Sequence, residues 1–257
     1  MNSPTAPAAH PRISLIVASL AQADLTALVK NPRRVLLSFL LPVLILVVTN
    51  TSKGTKHLGG SYYIIGLAIA YGLTASSILG YALGVARDRE IGVFQRLRVT
   101  PAPAWTIMTS RLAVQVIANF IMALIVVIVG SQMHHVPLTA DDYLLVLGIS
   151  VLAGGVFLAI GQALVGLVKS SDTVNAAGRI LMIVLILLGL FGQSGALGGV
   201  WESISRWSPV GVAMTLFAGV LDLSTWDSRD WLSILACAGY IVVCTGIGIR
   251  WFHWDAR

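Results

Sequence analysis

Charge is scarce in this chain: Asp, Glu, Lys and Arg make up 11% of its 257 residues, against roughly 25% in ordinary soluble domains. A soluble fold is thereby excluded, because one core of this size does not hide all the long uncharged runs. Cysteine is sparse as well. Cys237 and Cys244 lie seven positions apart in the last apolar run; on a helix their α-carbons stand about 10 Å apart along the axis, too far for a disulfide, so both read as small buried hydrophobes. No G-x-x-x-x-G-K-[ST] occurs, which excludes holding a nucleotide phosphate in the usual P-loop way, and neither H-E-x-x-H nor G-x-S-x-G is present. Acidic residues are nearly missing from the apolar runs, whereas proton- and ion-coupled carriers commonly place ionisable groups in the membrane. An enzyme and a proton-driven carrier are both disfavoured. Work done on a solute then needs energy from a partner.

Hydrophobic residues make up 56% of the chain, and bilayer spans need about 20 mostly apolar residues each. The formal charge of +6 does not point to nucleic acid, because the basic residues lie beside apolar runs rather than on a polar binding surface. Residues 1–11 read as a flexible arm with no signal-peptide core, which places the N-terminus in the cytoplasm. Residues 12–34 form an interfacial helix. Spans are expected at 35–50 (with Pro42 inside), 62–86, from about 105 to 133, 143–168, 174–191 and 231–250. Gly80 and Gly84 form a small-xxx-small pair in the second, suited to close helix approach. Four glycines in residues 192–199 make a continuous helix costly there. We therefore read 192–221 as a broken outer-leaflet excursion; the rival is a further full span that buries Arg206. His134 and His135 have no third ligand nearby in sequence, so no metal is expected.

On this map thirteen basic residues fall inside (Arg12, Lys30, Arg33, Arg34, Arg87, Arg89, Arg96, Arg98, Arg111, Lys169, Arg179, Arg250, Arg257) and four outside (Lys53, Lys56, Arg206, Arg229). The excess favours both termini in the cytoplasm and an even number of crossings. The expected fold is an all-α polytopic membrane protein, one transmembrane domain over 1–257 with six transmembrane helices.

Residues 87–103 stand apart. Between Tyr62 and Ala86, and between Leu112 and Met133, no residue is charged; then six charges occupy the twelve positions from Arg87 to Arg98. Ile91, Phe94 and Leu97 recur every three residues, so a short helix is expected to gather apolar side chains on one side and arginines on the other. Thr100-Pro101-Ala102-Pro103 ends it.

The run Arg89-Glu90-Ile91-Gly92-Val93-Phe94-Gln95-Arg96-Leu97 followed by Thr100-Pro101 resembles the E-x-G-[ST]-x-E-x-L-x-x-[ST]-P segment of ABC-2 type transporter permeases, particularly those similar to bacterial daunorubicin-resistance and other multidrug exporters. Val93 replaces the usual small hydroxyl residue and Gln95 the usual acid. The resemblance extends to the interfacial helix, the six spans and the Trp207-Ser208-Pro209 corner. It implies that 87–103 holds a cytoplasmic coupling helix, between spans 2 and 3, seated in a groove of a separate P-loop ATPase subunit. It further implies two permeases, identical or paralogous, with two ATPases that bind ATP and Mg, and residence in the bacterial plasma membrane.

Arg89, Glu90, Ile91, Gly92, Val93, Phe94, Arg96, Leu97, Thr100 and Pro101 are the candidate coupling residues. Arg89, Arg96 and Arg98 hold the ATPase or lipid phosphates, or else only anchor the topology. Gln115, Asn119 and Gln162 either line a substrate pathway or join helices. The expected function is an exporter subunit for a hydrophobic or amphipathic, drug-like or lipid-like substrate. The alternatives are a permease for lipid-linked polysaccharide, a membrane anchor that moves nothing, and a self-contained channel or carrier.

Overall fold

In the computed structural model the described residues are 13–30, 32–51, 60–98, 104–191 and 198–251, helical almost throughout and without a strand. The expected terminal arm, the basic loop with Lys53, Lys56 and His57, the Thr100-Pro101 stop and most of the glycine run lie outside them. The helices are α1 (Ile13–Val29), α2 (Pro32–Thr51), α3 (Gly60–Ala75), a π-helical segment (Ser76–Ala82), α4 (Leu83–Glu90), α5 (Val93–Arg98), α6 (Ala104–Met133), α7 (Ala140–Leu167), α8 (Ser171–Phe191), α9 (Gly199–Trp207), α10 (Pro209–Leu221) and α11 (Ser228–Arg250).

Five stretches are long and apolar enough to cross a bilayer: Gly60–Glu90, Thr106–Met133, Ala140–Leu167, Ser171–Leu190 and Ser228–Arg250. Helix α2 packs along α3 and α6 and contains a shorter apolar stretch, Phe39–Asn50; the bent pair α9 and α10 brings the number to six if it is taken as one span. The protein is thus an all-α polytopic membrane protein. Stretch Gly60–Glu90 is its centre, 94% buried over its most apolar window. Isoleucine, leucine and tyrosine cover that stretch on every side, which is the pattern of a helix enclosed by others rather than facing lipid.

Helices α9 and α10 meet at a 79° bend. Ser208 makes the corner: its hydroxyl donates to the Ser205 carbonyl at 2.6 Å and accepts from the Gly211 amide at 3.0 Å, an N-cap with Pro209 at the first helical position. Ser205 donates to the Leu188 carbonyl at 2.6 Å, and Tyr63 to the Gly189 carbonyl at 2.8 Å. The corner therefore sits beside the last turns of α8. Helix α8 has 21 residues and the central stretch 31, about 31 and 46 Å at 1.5 Å per residue, so α8 stops short. Helix α10 fills the remainder, packing Met214 and Phe217 into the core that holds Ile64 and Leu67. The segment is bent by 79° at Ser208 rather than straight, the form of a broken span or of a re-entrant loop, and Arg206 is exposed.

Close backbone approach occurs elsewhere than at Gly80, where a Cβ would meet nothing nearer than 3.9 Å. It falls on α7. A Cβ at Gly161 would lie 2.9 Å from the Ser77 carbonyl oxygen in the π-helical segment, and one at Gly166 3.0 Å from the Gly248 carbonyl oxygen of α11. The wide π turn pushes backbone toward α7, and glycine there admits it. Gly161→Ala is expected to lower stability by about 1–3 kcal/mol through overpacking. Gly148→Ala, where nothing lies within 4 Å, should leave it unchanged or raise it by up to about 1 kcal/mol. Thermal unfolding of both variants in detergent checks the contrast.

Candidate functional site

The charged stretch does not form one amphipathic helix. Helix α4 continues the central span through Glu90 and ends at Ile91, whose amide still bonds the Arg87 carbonyl at 3.0 Å. Gly92 follows with φ +72°, donating to the Arg89 carbonyl at 3.2 Å. This is the left-handed residue that closes many helices, and glycine takes it without a Cβ penalty. Helix α5 then starts afresh at Val93. The break separates the expected apolar row: Ile91 is 65% exposed at the turn, whereas Phe94 is fully buried. The side chains of Arg96, Leu97 and Arg98 lie outside the described residues.

Phe94 belongs to a buried cluster with Tyr81, Val85, Ile107, Leu158, Val165 and Val174, and Leu20 of α1 packs against the same cluster. Arg111 of α6 stacks its guanidinium 4.9 Å above the Phe94 ring, a cation–π contact strengthened by burial. The same guanidinium bonds Asp88 at 2.6 Å, with its Nε 3.8 Å from Asp24 of α1. Ser110 donates to the other Asp24 oxygen at 2.9 Å. Burial pushes the Asp24 carboxyl above its ordinary range, and the attraction of Arg111 with the Ser110 hydrogen bond pulls the other way.

Arg89 and Glu90 turn to the remaining spans. Arg89 is 2% exposed and donates to three carbonyls at the end of α7: Val165 at 3.0 Å, Val168 at 2.7 Å and Lys169 at 2.6 Å. Glu90 accepts from the first residue of α8, taking the Ser171 amide at 2.6 Å and its hydroxyl at 2.5 Å. A helix end leaves carbonyls free and a helix start leaves amides free, with partial negative and positive charge respectively. Two neighbouring side chains of opposite sign therefore grip two antiparallel helices across the short 168–170 loop.

The polar candidates in the spans lie deeper. Gln115 donates to Ser76 at 2.6 Å and to Asn119 at 3.1 Å, and Ser76 donates to Asn119 at 2.7 Å. Gln162 accepts from Tyr81 at 2.8 Å. Gln115 and Asn119 are 6% and 3% exposed. All three side chains join the π-helical segment to its neighbours within one chain.

Sequence reasoning missed Asp24, Asp88, Ser171 and the role of Arg111 beyond topology. A serine opening a helical run was a legible cap signal. The carbonyls that receive Arg89 carry no side-chain signature at all.

A bundle of membrane-length helices, carrying at one end an exposed turn tied to the helices on either side, defines a multi-pass membrane protein. A family model described as ABC-2 type transporter matches residues 17–221, and the chain belongs to that family. Members are membrane components of ABC transporters, generally non-catalytic themselves, that normally work with an ATPase subunit. A search of curated proteins finds no match to this chain.

Arg89→Met leaves the three carbonyls of α7 unanswered and is expected to cost about 3 kcal/mol, whereas Arg87→Met, at an exposed position, should cost little. Asp24 holds its charge against burial, so Asp24→Asn should destabilise less than Asp88→Asn, which removes the short bond to Arg111. Unfolding midpoints of the four variants in detergent test both orderings.

Proposed function

We propose that the chain is the membrane-spanning subunit of an ATP-driven exporter for a hydrophobic or amphipathic, drug-like or lipid-like substrate. Two copies, identical or paralogous, assemble with two copies of a P-loop ATPase, which binds the ATP and Mg. The complex sits in the bacterial plasma membrane with both termini and the Arg89 end in the cytoplasm. The distribution of basic residues supports that orientation. Family membership supports the kind of partner, and the resemblance of residues 89–101 to the multidrug exporters supports the substrate class.

The observation that carries the mechanism is the Ile91–Gly92 turn. It offers an exposed apolar side chain to a partner, while Arg89 and Glu90 before it and Phe94 after it are anchored in spans 2 to 5 and α1. In this reading, the closing ATPases push on the turn, and the push reaches the ends of α7 and α8 through hydrogen bonds rather than through slack loop. The spans then move as rigid elements and alternate access to the pathway. Ile91 makes the outward contact and Phe94 is the inward keel. Gln115, Asn119 and Gln162 keep spans 2, 3 and 4 together during the stroke.

Ile91→Asp should leave folding and membrane insertion intact, yet lower co-purification with the ATPase and abolish stimulation of ATP hydrolysis by the permease. Phe94→Asp should instead lower the unfolding temperature, since it buries a carboxylate in an apolar pocket. Hydrolysis and solute movement in vesicles holding permease and ATPase together check both. Solute movement without any ATPase would make the chain a self-contained carrier, and no movement in either state would make it an anchor.

A further inference from the structure

At the end of the molecule away from the Arg89 clamp, α9, the start of α11 and the face of α10 between them enclose a cavity of about 470 Å³, lined by Glu202, Arg206, Trp207, Arg229, Leu232 and Ser233 among others. That volume lies in the range of sites that hold small molecules or headgroups. Its lining is amphipathic. Arg206 and Arg229 supply two positive charges against the single carboxylate of Glu202, which bonds Arg206 at 2.8 Å. Among the described residues Arg229 has no hydrogen-bond or ion-pair partner. Ser233 is 94% buried by its 6% exposure and lines the cavity, with no partner for its hydroxyl among the described residues. Asp227 and Asp230, in an adjoining cavity that shares Arg229, accept backbone amides in the capping box of α11; both carboxylates stay charged, but neither forms an ion pair with Arg229.

Exposed apolar side chains flank the cavity. Val200, Trp201, Ile204 and Trp207 on α9 are 49–74% exposed, and Leu232 on α11 is 49% exposed, the composition of a membrane interface. The Tyr240 hydroxyl donates to the Trp207 carbonyl at 2.7 Å and ties α9 to α11 along one side. Arg206 and Arg229 are two of the only four basic residues that the sequence map places on this side, against thirteen on the other.

We propose that this cavity binds the headgroup of an anionic phospholipid from the leaflet away from the clamp, its phosphate taken by Arg206 and Arg229 and its acyl chains running along Trp207 and Leu232. Arginine suits a phosphate because its planar fork donates two parallel bonds and is weakly hydrated. The site does not depend on the exporter reading, since it concerns a lipid and not the cargo.

The test uses the purified full chain in nanodiscs of phosphatidylcholine with a minor fraction of phosphatidylglycerol, then measures the phosphatidylglycerol retained after detergent washing by native mass spectrometry. Wild type is expected to retain one phosphatidylglycerol that the R206Q/R229Q variant loses by about tenfold, with unfolding temperature in pure phosphatidylcholine unchanged. L232W fills the cavity and keeps both arginines, and should lose the same lipid; it decides the matter if the double variant fails to fold. Equal retention by wild type and L232W, equal loss in an Arg87→Gln control at the opposite end, or release of the bound species by millimolar glycerol 3-phosphate would overturn the lipid site.

Discussion

Neighbouring Arg89 and Glu90 answer the unsatisfied ends of two other helices, and most of this structure depends on that exchange. A helix entering a bilayer must settle its last carbonyls or first amides inside the protein, because hydrocarbon offers no water to do so. Here α7 ends and α8 begins within a short turn, too short to satisfy itself. The central span supplies both halves of the remedy, a cation for the carbonyl end and an anion for the amide end. Removing Arg89 would leave the carbonyl end bare, and removing Glu90 the amide end, so each residue has its own helix end to answer.

The same few residues give the exposed turn its mechanical character. Helix α4 carries no flexible joint between the centre of the bundle and Ile91. Gly92 reverses the backbone in one residue, and Phe94 is at once buried again under Arg111. Arg111 in turn binds Asp88 and approaches Asp24, so α1, α4, α5 and α6 meet at one guanidinium. Above it lies the π-helical segment Ser76–Ala82, where the hydrogen-bond ladder widens and Ser76 bonds both Gln115 and Asn119.

Much of this was legible in residue order. The apolar runs and the Ser208-Pro209 corner both mark features that the folded chain contains, because each is imposed by hydrocarbon or by local backbone geometry. The coupling segment was legible only in part. A three-residue apolar period through Ile91, Phe94 and Leu97 suggested one continuous helix, yet a single glycine at φ +72° splits it and sends Ile91 and Phe94 to opposite environments. Within the chain, Gly80 meets no close neighbour, whereas Gly161 and Gly166 face backbone atoms of distant helices.

What the sequence by itself determined is the membrane class, the rough limits of most apolar helices and the place of the charged turn, because burial in hydrocarbon penalises charge residue by residue and needs no knowledge of neighbours. Only the tertiary structure decided what the charges do. Arg89 reads as one of thirteen topology anchors until α7 arrives beside it, and Glu90 as a surface acid until Ser171 does. Both bonds join residues about eighty positions apart and have backbone groups among their partners. Such groups are present at every residue and so leave no mark in the order of side chains.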